Sequence, residues 1–227
     1  MKQTSEQSNQ APIDEQQLRE QFDEYFMVQQ PFTVTLEPVN AAQVPAPHAF
    51  IDDIPEVFIL ASDMQQGDQA TLSRLRYENE RLAPLFDIVQ QQSQRLNIML
   101  GYLLRHQQDA AQQYQGIAFG AGGIRVHSDK PLQVGATFRC KLFIQEDAIA
   151  LYSYVYVLDS QSADEAGLSQ TALAFVRIRE DDQELIIRAS LHSQSRQLKQ
   201  RAEQKRLQQS DAVVDDKHTE QPLNNEE

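Results

Sequence analysis

The chain has 227 residues, a formal net charge of −13, 41% hydrophobic residues, no Trp and one Cys. That length holds one domain core with attached helical elements and excludes two independent enzyme-sized cores. The acidic balance excludes a general nucleic-acid binder, whose affinity for phosphate backbones comes from displaced counterions and needs a cationic surface, and the lone Cys140 excludes an internal disulfide or a Cys-pair metal site.

Residues 1–12 are polar and have no apolar period, so they bury too little to offset the entropy of ordering, and a disordered N-terminus is expected. They also lack the apolar stretch of a secretion signal, and no run of about 18 apolar residues follows anywhere. The expectation is a cytoplasmic protein without membrane insertion, which agrees with the single cysteine. From Ile13 to Phe26 the apolar positions Ile13, Leu18, Phe22 and Phe26 stand at near-helical spacing. Pro31 is expected to end that helix before the extended run Phe32 to Leu36, and residues 38–48, with three prolines, read as an irregular connector. The acidic pair Asp52 and Asp53 reads as a solvated loop, and Val57 to Leu60 is a short apolar run that fits helix or strand. Residues 13–66 thus form a helix, a first strand and a connector.

The strongest pattern in the chain occupies the segment 67–110. Leu72, Leu75, Asn79, Leu82, Phe86, Val89, Ser93, Leu96, Leu100 and Leu103 follow an unbroken three-four spacing. A repeat of 3.5 keeps one seam turned toward a partner helix, so the pattern predicts a coiled coil and a homo-oligomer, with Asn79 favouring two strands. Leu85, Ile88, Ile98 and Met99 widen the apolar surface beyond the seam, which suits a tetramer. The same period also fits a long helix packed on its own domain, and Pro84 fits either an outward kink or a break at 81–84.

From Tyr114 the period changes to two. Strands are predicted at 116–119, 123–127, 137–144, 149–158 and 171–178, and with the run near 32–36 they suffice to close a small antiparallel barrel. Alternation turns Ile124, Val126, Phe138, Cys140, Leu142, Val176 and Ile178 inward, and Arg125, His127, Arg139, Lys141, Arg177 and Arg179 outward. Neighbouring strands would then carry a cationic face suited to a phosphodiester or an acidic protein segment, although an ordinary solvated sheet face gives the same alternation. After Asp181 and Asp182, either of which suits an N-cap, helical character returns through Leu185, Ile186, Leu191 and Leu198. Residues 188–206 carry a net charge of +5, and 208–227 read as a disordered acidic tail.

Enzyme motifs are missing from this text. There is no P-loop, and Gly120-Ala-Gly-Gly-Ile-Arg places Arg125 where a dinucleotide fingerprint needs Gly or Ala. His48, His106, His127, His192 and His218 are scattered, so neither a metal nor a cofactor is expected. Cys140, turned inward, reads as core.

Residues 119–144, with a double glycine opening a strand, Pro131-Leu-Gln-Val-Gly135 as a turn and an apolar strand after it, resemble a PilZ domain, the bacterial cyclic di-GMP receptor module. Ala174 to Ile178 followed by Asp182 to Arg188 is similar to that family's last strand and closing helix, and the resemblance spans roughly 114–200. A heptad-bearing helix ahead of the double glycine resembles the atypical, tPilZ-like branch, in which such a helix is inserted after the first strand and mediates oligomerisation. The resemblance implies an α+β fold, a PilZ-like barrel over 113–207 with an inserted helix and a C-terminal helix, in a non-enzymatic signalling adaptor with a protein partner. The family's paired arginines before the first strand have no counterpart, since Arg19 stands alone. Its Asp/Asn-x-Ser-x-x-Gly motif falls on Ala118, Gly120 and Gly123 and keeps only the last glycine. Any cyclic di-GMP would therefore be held by a non-standard set: Gly120, Gly122, Gly123, Arg125, Arg139, Lys141, Arg177 and Arg179.

Overall fold

The computed structural model describes residues 13–63, 83–106, 112–161 and 167–216. Six antiparallel strands close a barrel: β1 (Val28–Val39), β2 (Gln113–Gly120), β3 (Gly123–Ser128), β4 (Thr137–Ile144), β5 (Ile149–Gln161) and β6 (Ser169–Arg177), in the order β1-β2-β3-β6-β5-β4. Helix α1 (Glu15–Glu24) precedes β1 and α2 (Phe50–Asp53) follows it. Then α3 (Ala83–His106) enters between β1 and β2, and α4 (Glu180–Asp216) ends the described chain. The predicted α+β barrel with an inserted and a C-terminal helix is the fold observed.

Alternation drives the closure. Leu36, Phe119, Ile124, Val126, Leu142, Leu151, Val155 and Leu173 point inward and are almost wholly buried, each stabilising the barrel by about 1.5–3 kcal/mol. Phe32 meets Phe119 edge-on at 5.8 Å, and Leu185, Ile186 and Ala189 of α4 pack into the same core. Pro31 does not precede the strand but lies inside it, at a register shift between Gln29 and Phe32 in the β1–β2 pairing. A bulge tolerates a residue that cannot donate to the ladder, which is why the proline reading failed.

Two further apolar clusters lie outside the barrel. Leu18 and Phe22 of α1 pack on Leu158, Ala172 and Ala174. Phe50 of α2, its capping residue Ile54, and Phe58 and Ala61 of the helical residues 56–63 pack on Phe143, Ala150, Tyr152 and Tyr154. The stretch expected as an irregular connector is therefore two 3-10 turns, Ala41–Gln43 and Pro47–Ala49, leading into α2 and a helical cover. Much of β5 is buried on both faces, so the sheet does not keep the single wet outer face that the alternation suggested.

Candidate ligand-binding face and self-association helix

The glycines at the β2–β3 turn are explained by what presses on them. A Cβ on Gly122 would stand 2.6 Å from the Gln21 carbonyl oxygen and 2.8 Å from Phe22 Cα, one on Gly120 2.5 Å from the Phe26 oxygen, and one on Gly123 would overlap the Leu173 carbonyl and the Phe22 ring. Helix α1 and its exit thus lie directly on this backbone, and their close approach accounts for glycine without a ligand. Gly122→Ala is expected to force α1 outward and to destabilise the fold by about 1–3 kcal/mol in urea unfolding, as overpacked sites do.

The cations are distributed over three environments. Arg125 lies over the Phe22 ring at 5.5 Å, on the α1 side of the barrel. Arg139 and Lys141 both bond Glu37 of β1, and Arg139 also lies 6.0 Å from the Tyr154 ring centroid. Burial would raise the Glu37 carboxyl, but Lys141 and Arg139 outweigh it and hold the group below the usual range. Arg177 donates through Nε to the Pro45 oxygen at 2.9 Å and through Nη1 to the Val176 oxygen at 2.7 Å. Arg179 bonds Asp63 at 3.3 Å and Asp181 at 3.0 Å.

Cross-strand register explains the grouping. Glu37, Arg139, Tyr154 and Arg177 stand in one row across β1, β4, β5 and β6, whereas Arg125 pairs with Ala172 in another part of the sheet. The expected outward cations exist, but α1, the cover over β5 and carboxylates of the same chain divide and largely neutralise them. The inward reading of Val176 needs correction. Tyr154 pairs with Arg177 and Val155 with Phe175, so Val176 is the extra residue of a β-bulge and joins the outer clusters beside Arg177.

Helix α3 gives the heptad pattern a surface. Leu72, Leu75, Asn79 and Leu82 lie outside the described residues; Phe86, Val89, Leu96, Leu100 and Leu103 lie on the helix, as does Pro84 in its first turn. Leu85, Ile88, Val89, Leu96 and Met99 are exposed, Met99 by 62%. At 3.6 residues per turn these five fall within an arc of about 100°. Ile98 and Gly101 fall on the opposite side, where with Tyr102 they line a small cavity against Phe143 and Ile149.

Other residues are placed differently from their sequence reading. Asp53 is no free loop acid, because the hydroxyls of Tyr152 and Tyr154 both donate to its Oδ2, at 2.9 and 2.8 Å, clamping α2 onto β5. Helix α4 starts at Glu180, so Asp181 and Asp182 lie in its first turn and are not its N-cap, and it runs on to Asp216, past position 207. Asp182, 3% exposed, accepts a hydrogen bond from Ser62 Oγ. Burial pushes Asp182 up to about 6 against the lowering influence of Ser62 and Arg179. No sequence motif announced that pair, which joins segments 120 residues apart. Cys140 is fully enclosed, and burial pushes its thiol up to about 12. A thiol reagent is expected to label it only at the rate of global unfolding, so fast labelling of the folded chain would contradict a core role. Among the described residues no three His, Cys, Asp or Glu side chains stand together as a metal site, and no helix is long and apolar enough to cross a membrane.

No family model and no curated protein matches the chain. Solved structures do. The chain is similar to a PilZ-domain structure. That structure, of a pathogenic protein from Xanthomonas campestris described as a tetrameric PilZ domain self-assembled through a helical bundle, aligns at 18% identity and a TM-score of 0.48, over 79% of this chain and 96% of that one. The Bacillus subtilis inhibitor of motility (MotI/DgrA) aligns at 18% identity and a TM-score of 0.34, over 37% of this chain and 42% of that one.

Proposed function

We propose that this chain is a non-enzymatic PilZ-like regulatory protein that self-associates through α3 and acts as an adaptor for a protein partner in cyclic di-GMP-related signalling. The observation that carries the reading is the apolar stripe of α3 on the side turned away from the barrel, where the heptad positions Val89 and Leu96 are flanked by Leu85, Ile88 and Met99. A contiguous exposed stripe of this kind on a water-soluble chain marks an interaction surface. The PilZ-like text at 119–144, set in a closed barrel with the helix between β1 and β2, supports the family reading.

Two facts favour an adaptor over a nucleotide receptor. Helix α1 lies on the Gly120–Gly123 backbone, and Arg139, Lys141 and Arg179 are already paired with carboxylates of the same chain. The receptor reading keeps one point in its favour, the adjacency of Arg177 and Arg179 at the end of β6. Calorimetric titration of the full chain with cyclic di-GMP separates the two, with no saturable heat expected. Saturable micromolar binding that is lost in both Arg125→Ala and Arg177→Ala would sink the adaptor-only reading.

A further inference from the structure

A cleft of about 730 Å³ opens between α1, the 41–51 segment and the β6–α4 turn, within the size range of small-molecule sites. Its walls include Val44, Pro47, Phe50 and Ile51, and Arg177 projects into it. The bonds from Arg177 Nε and Nη1 to two carbonyl oxygens fix the plane of the guanidinium. Nη2 has no partner among the described residues, and no carboxylate pairs with this arginine, whereas Arg139 bonds one and Arg179 and Arg196 two each. Burial without a counter-charge pulls the Arg177 guanidinium below its ordinary value. A guanidinium oriented by carbonyls, bonded to no carboxylate and facing a cleft with apolar residues in its wall, is arranged for an anion from outside.

The remaining charges of the cleft select which anion. Asp14 caps α1 by accepting from the Gln16 and Gln17 amides, Asp181 is engaged by Arg179, and Glu180 stands beside them. Three carboxylates in the lining against Arg177 and the already engaged Arg179 disfavour a ligand with several negative charges, a dinucleotide included. One carboxylate can accept from Nη2, and an apolar body matches the apolar part of the wall.

We propose that this cleft binds a singly charged carboxylate amphiphile, its carboxylate on Arg177 and its apolar body along the exposed Pro47 and Ile51. The inference does not depend on the PilZ-like reading or on self-association. It is tested by titrating the full chain calorimetrically with octanoate and, as uncharged comparator, 1-octanol. One octanoate per chain is expected, with 1-octanol at least tenfold weaker. Arg177→Gln should lower octanoate affinity at least tenfold. Ile51→Asp, at a position 60% exposed, should weaken it similarly by placing a like charge in the cleft, and it decides the matter should Arg177→Gln fail to fold. No saturable octanoate binding, equal affinity for 1-octanol, or binding retained by the folded variants overturns the proposal. So does loss of binding in Leu96→Asp with retention in Arg177→Gln, which would put the ligand on α3.

Discussion

A chain carrying Val89→Asp and Leu96→Asp is expected to run as a monomer in multi-angle light scattering, and the unsubstituted chain as a dimer or tetramer. Both positions lie on the outward stripe of α3, exposed by 39% and 54%, so the substitutions remove nothing from the barrel core. Burying each apolar side chain between copies contributes about 1.5–3 kcal/mol. Its loss from two positions on each of two chains, four side chains in a dimer, weakens association by roughly four orders of magnitude or more, since about 1.4 kcal/mol is a factor of ten. The buried carboxylates add a desolvation cost in the same direction. Far-UV circular dichroism should keep its strand signature, because the barrel closes without α3. An unchanged mass would refute the interface. Ile98→Asp, on the opposite side of the helix, provides the contrast: it should disturb the seat of α3 on Phe143 and Ile149 and leave the oligomer intact.

The barrel was legible because its signal is local and periodic. Phe138 to Leu142 alternates, and the bounds of the strand Thr137–Ile144 coincide with those read from the sequence. Bulges were not legible, since one extra residue shifts every later side chain to the other face without changing composition. Pro31 and Val176 were misplaced for that reason. The cover over β5 was missed because Phe50, Ile54 and Phe58 stand one helical turn apart but are interrupted by Pro55, which breaks the pattern into pieces too short to read. A signal for it did exist in the strand: Ile149 to Leu158 is nearly continuous in apolar and aromatic residues, as befits burial on both faces.

The candidate site was half legible for a related reason. Which residues carry charge and leave the core follows from alternation, and Arg125, Arg139, Lys141 and Arg177 do so. Which of them share an environment depends on strand neighbours, and which are neutralised depends on Glu37, Asp63 and Asp181, whose approach no pattern in the chain records. The double glycine was legible as a motif while its cause was not, because the cause is the backbone of α1, a hundred residues earlier in the chain.

Asp182→Asn is expected to stabilise the fold by up to about 3 kcal/mol at pH 8 and to change little at pH 4. The side chain sits in the first turn of α4, 3% exposed, with Ser62, Arg179, Asp181 and Asp63 as the polar groups acting on it. Burial is the largest influence and moves the carboxyl from 3.8 to about 6, and each unit is worth about 1.4 kcal/mol. Below pH 4 the group is protonated in both folded and unfolded chains and exacts nothing. Between pH 4 and 6 the folded chain holds the proton more tightly, so stability falls as pH rises, and above pH 6 the full cost of the buried charge is present. Asparagine removes the charge and keeps an oxygen to accept from Ser62 Oγ. Urea unfolding of both proteins from pH 4 to 8 should therefore give a stability difference that opens with rising pH and levels off above 6. A difference independent of pH would show that Asp182 is already ionised at low pH, held by Arg179 and the helix N-terminus. In the expected case, the junction between the helical residues 56–63 and the start of α4 is most stable in mild acid, where no charge is buried, although the Ser62 bond itself favours the ionised carboxylate.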